Sequence, residues 1–164
     1  MQDALMVYFD GEKNAGLLLA GIAVAVLIAA AIMFRARLDL RSFAVTLGVL
    51  AVAQMALGVG LYLRTDPQVI RLVEQLRSDA TGFHSTERAR MTRVQRNFIV
   101  VEYVELLIII VTAATAVFQK TRPGLAGVAL GLLISASLLL AFDLVAERRG
   151  AGYLASLDDG EHSH

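Results

Sequence analysis

The sequence contains no cysteine and no tryptophan, and only two of its 164 residues are proline. Without cysteine the chain can form no disulfide scaffold, no thiolate metal site, no iron–sulfur cluster and no thiol redox centre. Charge is also scarce, because Asp, Glu, Lys and Arg make up 18% of the chain, against about 25% in average soluble proteins. Fifteen basic residues balance fifteen acidic ones, so the net charge points to no nucleic-acid partner.

Four long apolar segments dominate what is present, since 57% of the residues are hydrophobic and the mean hydropathy is +0.63. A helix crosses the hydrocarbon core of a membrane with about 20 apolar residues. The segments of this length are residues 15–34, 42–63, 97–119 and 124–145. A chain this short has no other residues to cover four buried helices. We therefore predict an all-α, integral membrane four-helix bundle, antiparallel and up-down, in one domain.

Residues 66–96, between the second and third spans, carry the signals of an amphipathic helical hairpin. Asp66 is a suitable N-cap, Pro67 suits the first helical position, and Gly82 suits a helix end. Apolar residues follow at helical spacing, namely Val69, Leu72, Val73 and Leu76. The pattern predicts two helices, the second of which continues into the third span.

Four arginines lie on the second arm of this hairpin: Arg88, Arg90, Arg93 and Arg96. A basic amphipathic helix is typical of a segment that lies in the headgroups and contacts anionic lipid, or that docks a partner protein. A helical cap packed on the bundle explains the same pattern equally well. The sequence leaves both alternatives open.

The distribution of basic residues bears on orientation. We call side A the end with both termini and the hairpin, and side B the end with the two short loops. Ten Lys and Arg lie on side A and five on side B, which favours a cytoplasmic side A, whereas the flanks of the first span favour the opposite. Orientation therefore stays open. The Arg-rich, Lys-poor composition suggests a bacterial inner membrane.

Small residues recur at four-residue spacing in the fourth span, at Gly127, Gly131 and Ser135. Small residues mark helix interfaces in lipid, because they let two backbones approach closely. This stripe predicts helix packing. It fits packing within one bundle, and it also fits contact between two copies of the chain.

Antiparallel spans bring polar residues from separate segments together at side A. These candidates for an ion, proton or polar site are Glu12, Lys13, Gln54, Arg64, Glu102, Glu105 and Asp143. Glu102 and Glu105 are three residues apart, so they are neighbours on one helix face. Because two ionised carboxylates there repel each other, we expect one to hold a proton, to pair with Lys13 or Arg64, or to bind a cation. The alternative is a structural ion pair that sets the helix register.

Motifs for catalysis are missing from the sequence. It has no P-loop, no Gly-x-Ser-x-Gly, no His-Glu-x-x-His and no histidine in any span. Haem and carboxylate di-iron centres in helical bundles use histidine ligands, so we predict no cofactor, no metal and no catalytic residue.

Two classes of function remain, of which we predict the first and keep the second as the alternative. The first is a small, non-enzymatic accessory or regulatory module that binds membrane lipid or another membrane protein, as a homo-oligomer or within a larger complex. The second is an oligomeric ion channel, or a proton- or cation-coupled transporter, that uses the carboxylates, with Gln54 extending the polar path inward. A lipid-modifying enzyme is a third hypothesis, but no motif favours it.

Overall fold

The fold consists of four long helices. The computed structural model describes residues 1–36, 40–119 and 121–161, the last three of these by their backbone only. The helices are α1 (Gln2–Arg35), α2 (Arg41–Ser78), α3 (Ala80–Phe118) and α4 (Pro123–Glu161). At 1.5 Å per residue each is about 50 to 60 Å long, which exceeds the roughly 30 Å hydrocarbon core of a membrane. The fold is all-α, as predicted, and is consistent with a four-helix bundle.

Each helix contains a stretch that is long and apolar enough to cross a membrane, judged by length and composition. Many of the large apolar side chains in these stretches face outward. Leu17, Ile32, Val49 and Ile110, for example, are each at least 60% exposed. Soluble monomers rarely expose contiguous apolar patches larger than a few hundred Å².

The helix ends differ from those expected around the hairpin. We expected a new helix to begin at Asp66, but α2 runs through Pro67 without a break. Proline removes only one backbone donor, and the flanking turns keep theirs, so a long packed helix can continue through it. Asp66 accepts a hydrogen bond from Lys13 on α1 instead of capping a helix, with Nζ 2.7 Å from its carboxylate.

The turn between α2 and α3 also lies elsewhere than expected. Asp79 is the N-cap of α3, and its carboxylate accepts a hydrogen bond from the backbone N–H of Gly82 at 2.9 Å. Gly82 therefore lies in the first turn of α3, where we had expected a helix to end. Capping by Asp79 satisfies one of the backbone donors that every helix start leaves without a partner.

Helices α2 and α4 form the centre of the bundle. The largest interfaces join α1 to α2 and α3 to α4, and α2 also packs on α4, whereas the backbones of α1 and α3 stay apart within the described residues. Gly16 of α1 lies against Gly58 of α2, and further along the pair Ala30 lies against Gly48. On the other side, Gln95 of α3 donates a hydrogen bond to the carbonyl of Glu147 on α4.

A second, compact core lies beyond the apolar stretches, where all four helices continue toward side A. We call this part the extension; it comprises residues 2–14, 64–78, 80–96 and 146–158. Its buried cluster consists of Leu5, Tyr8, Phe9, Phe83, Met91, Tyr153 and Leu157. The apolar residues of the first hairpin arm, Val69, Leu72, Val73 and Leu76, pack against this cluster. These are the contacts that the helical-cap alternative requires.

Candidate functional site

A cavity of ≈ 660 Å³ lies where the apolar stretches meet the extension, and all four helices line it. Most of its lining is apolar, with Leu19, Leu57 and Leu139 among the side chains that face it. Its charged lining residues are Glu12, Arg64, Glu105, Asp143 and Arg149. A mostly apolar cavity of this size with a few convergent polar groups is typical of a small-molecule site.

Glu105 is the most buried of these charged residues. It shares one face of α3 with Phe98 and Val101, at helical spacing, and all three line the cavity. The residue is only 7% exposed. Its Oε2 is buried and has no hydrogen-bond partner among the described residues. An ionised carboxyl group in this position has lost its hydration and has gained no contact in exchange. This is costly unless the group binds a ligand or takes up a proton.

Two further carboxylates lie around Glu105. Asp143 of α4 lines the same cavity, and Glu102 lies one turn earlier on α3. Both are close enough to act on Glu105 electrostatically. Glu102 also has a buried oxygen, Oε1, that lacks a partner within the described part of the chain. The structure therefore places Glu105 of α3 and Asp143 of α4 around the same cavity.

The cations that we considered as partners for these carboxylates are engaged elsewhere. Lys13 pairs with Asp66 at 2.7 Å, and Arg64 lies 4.0 Å from the carboxylate of Glu12. Arg149, which the sequence did not single out, reaches from α4 to α1 and donates a hydrogen bond to the carbonyl of Gly11 at 2.7 Å. No ion pair joins Glu105 to a residue that the structure describes.

Glu12 belongs to the upper rim of the cavity. Its Oε1 accepts a hydrogen bond from the Tyr8 hydroxyl at 3.1 Å. Burial in the extension raises the pKa of Tyr8 well above its ordinary value, and the neighbouring charge of Glu12 raises it further. Tyr8 therefore stays a hydrogen-bond donor that orients Glu12 over the whole physiological pH range.

Gln54 lies apart from the carboxylates, between α2 and α4. It is 3% exposed, and its amide nitrogen donates a hydrogen bond to the backbone carbonyl of Ser135 at 3.4 Å.

The stripe of small residues on α4 also packs directly against α2. A Cβ on Gly127 would overlap Ser42, and one on Gly131 would lie 2.9 Å from Thr46. This stripe is therefore covered by α2 of the same chain.

The four arginines of the second hairpin arm do not share one environment. Arg93 and Arg96 are exposed. Arg88 is exposed too, and it pairs with Asp158 of α4 at 2.8 Å. Arg90 turns inward and forms two hydrogen bonds with Glu87, at 2.6 and 2.7 Å.

Glu87 is a residue that the sequence pattern did not single out. It is 1% exposed and lies in the core of the extension. The signal that could have indicated this was its position between Phe83 and Met91, at four-residue spacing, on the apolar face of the helix.

No group of three or more His, Asp or Glu residues in the described part of the chain is arranged to hold a metal ion. No protein-family model, no curated protein and no solved structure matches this chain.

Proposed function

We propose that this chain is an integral membrane protein that acts as a non-enzymatic, amphiphile-binding accessory module. The observation that carries this proposal is the cavity that all four helices line at the inner edge of the extension. The class of ligand meant here is a membrane lipid or a molecule of similar build, with an apolar body and a polar head. Its place in a bacterial inner membrane, alone or in a larger complex, is part of the proposal and comes from composition.

The threading that we propose is antiparallel and up-down, with both ends of the chain and the α2–α3 turn on one side. The pairing of Gly16 with Gly58 and of Ala30 with Gly48 supports opposite directions for α1 and α2. Apolar stretches with outward-facing side chains support insertion, because a soluble protein would bury them.

The lining of the cavity supports an amphiphile over a purely polar ligand. Leu19, Leu57 and Leu139 offer an apolar wall in the membrane part, whereas Arg64 and Glu12 lie at the level of the extension. A ligand with an apolar body and a polar group suits this lining, which also carries Glu105 and Asp143 within the apolar stretches. The volume lies within the range of roughly 300 to 1,000 Å³ usual for small-molecule sites.

Proton- or cation-coupled transport is the second candidate, and the buried, unpartnered Oε2 of Glu105 favours it. A transport path needs polar groups that continue from Glu105 toward side B. The threonine hydroxyl groups on this part of α3 donate hydrogen bonds within their own helix, from Thr112 to the carbonyl of Ile108 and from Thr115 to that of Val111. We therefore favour binding over transport.

A cavity-filling substitution tests the binding proposal. A Cβ on Gly60, which lines the cavity, would meet no atom within 4 Å, so Gly60→Phe introduces a ring at the cavity wall from an unobstructed Cβ. We expect the wild-type protein, purified in mild detergent, to retain a bound amphiphile by native mass spectrometry, and the variant to lose most of it.

Gly21→Phe is the matched control. Gly21 also has open space around its Cβ position, but it lies on α1 outside the cavity lining, so this variant should retain the amphiphile. A wild-type protein that retains none, or equal retention by the three proteins, would contradict the proposal. Ion flux in liposomes that Glu105→Gln abolishes, without retained amphiphile, would favour transport instead.

A further inference from the structure

We infer that the ligand of this cavity is an amphiphilic organic cation, bound with its charged group between Glu105 and Asp143. This inference rests on the proposed function and adds the sign of charge and the chemical class of the ligand. Two independent observations carry it: the balance of charges in the cavity lining, and the unpartnered carboxylate oxygen of Glu105, a residue that is 93% buried.

The charge balance favours a cation. Three carboxylates and two guanidinium groups line the cavity. Arg64 lies 4.0 Å from Glu12, and Arg149 keeps its charge, because it donates to the neutral carbonyl of Gly11 and its buried Nε has no partner among the described residues. Neither Glu105 nor Asp143 forms an ion pair with a described residue, and Glu102 adds a further carboxylate one turn away on α3. The carboxylates therefore outnumber the guanidinium groups, and a ligand that carries positive charge supplies the partner that Glu105 lacks.

The lining favours an organic cation over an inorganic one. Inorganic cations are strongly hydrated and need several oxygen ligands to replace their water. The described residues hold no metal-binding group of carboxylates, and most of the cavity wall is apolar. An ammonium or phosphonium group with apolar substituents is weakly hydrated and gains from burial against such a wall. Phe98 and Phe142 add aromatic rings to the lining, and these attract cations.

A pair of probes with one shape and opposite charge tests the inference. Tetraphenylphosphonium and tetraphenylborate differ chiefly in the sign of their charge. Equilibrium dialysis against purified full-length protein in a non-ionic detergent measures the binding of each, with protein-free micelles as the blank. We expect the wild type to bind the phosphonium and to show no comparable affinity for the borate.

Glu105→Gln keeps the shape of the side chain and removes its charge. We expect it to bind the phosphonium about thirtyfold more weakly, the factor that corresponds to the ~2 kcal/mol lower bound for breaking a buried charge pair. Glu74→Gln is the matched control, because Glu74 is exposed in the extension and lies outside this cavity. It should bind as the wild type does.

Several outcomes would overturn the inference: no binding of the phosphonium, equal binding of the borate, or an unchanged affinity in Glu105→Gln. Any of these leaves the binding proposal standing as long as Gly60→Phe still releases a retained amphiphile. If Glu105→Gln does not elute from size exclusion as the wild type does, Asp143→Asn replaces it. That variant must also weaken phosphonium binding, and an unchanged affinity would contradict the inference.

Discussion

At the scale of single residues, the extension contains a buried ion pair. The side chain of Glu87 is 2% exposed, that of Arg90 is 33% exposed, and two hydrogen bonds join them. Arg90 also lies over the ring of Phe9, with its central carbon 5.9 Å from the ring centroid. Removing one partner of such a pair leaves an uncompensated charge, which costs more than the pair contributes when it is intact.

Glu87→Ala should therefore destabilise the protein by about 3 kcal/mol, at the lower end of the range for a broken buried pair because Arg90 can still turn toward solvent. Chemical denaturation in detergent measures the change. Glu74→Ala removes an exposed carboxylate from the same extension and should stay within about 0.5 kcal/mol of the wild type. Equal stability of the two variants would show that Glu87 does not hold Arg90.

At the scale of helices, α1 and α2 approach each other closely at a pair of glycines. A Cβ on Gly16 would lie 2.7 Å from the carbonyl oxygen of Gly58, and a Cβ on Gly58 would lie 2.6 Å from that of Gly16. These obstacles are backbone atoms, which cannot turn away as a flexible side chain does. Only glycine permits this approach, and small residues serve the same purpose in membrane helix pairs generally.

Gly58→Ala should push α1 and α2 apart and cost about 1 to 3 kcal/mol, as overpacking of a close interface does. Gly60→Ala makes the same chemical change two residues later, where a Cβ meets nothing within 4 Å. This control should be neutral or stabilising by up to about 1 kcal/mol, because alanine favours helix over glycine. Thermal unfolding in detergent compares the two, and equal midpoints would contradict the close approach.

At the scale of the whole molecule, the chain divides into an apolar zone and an extension that continues the same four helices. The extension has its own core and ion pairs, for example Lys13 with Asp66 and Arg88 with Asp158. The cavity lies between the two zones. An amphiphile at this position would contact the apolar side chains of the lining with its body and the charged lining residues with its polar group.

Single cysteines can test the proposed threading, because the natural chain has none. Ser78→Cys places a thiol at the α2–α3 turn, and Gly124→Cys places one at the start of α4, where a Cβ has open space. We expect a membrane-impermeant maleimide to label the two from opposite sides of membrane vesicles. Labelling of both from the same side would contradict four antiparallel spans.

The sequence pattern alone predicted the all-α class and the four apolar stretches, because hydropathy is a local property that does not depend on tertiary contacts. It also indicated that carboxylates of α3 and α4 lie close together, since Glu102 and Glu105 are near the start of one span and Asp143 near the end of the next. The hairpin was harder to predict. Its signals at Asp66 and Gly82 are those of helix ends, but α2 and α3 run through them.

Only the tertiary structure decided which charges pair, because those partners are far apart in the chain. Lys13 pairs with Asp66, which is 53 positions away in the sequence, and Arg149 donates a hydrogen bond to the carbonyl of Gly11, which is 138 positions away. Local spacing holds no information about such contacts. Glu105 is left without an ion-pair partner among the described residues because these long-range contacts direct Lys13 and Arg149 toward other groups. Apolar content therefore determined the architecture, and long-range pairing determined where an unsatisfied charge remains.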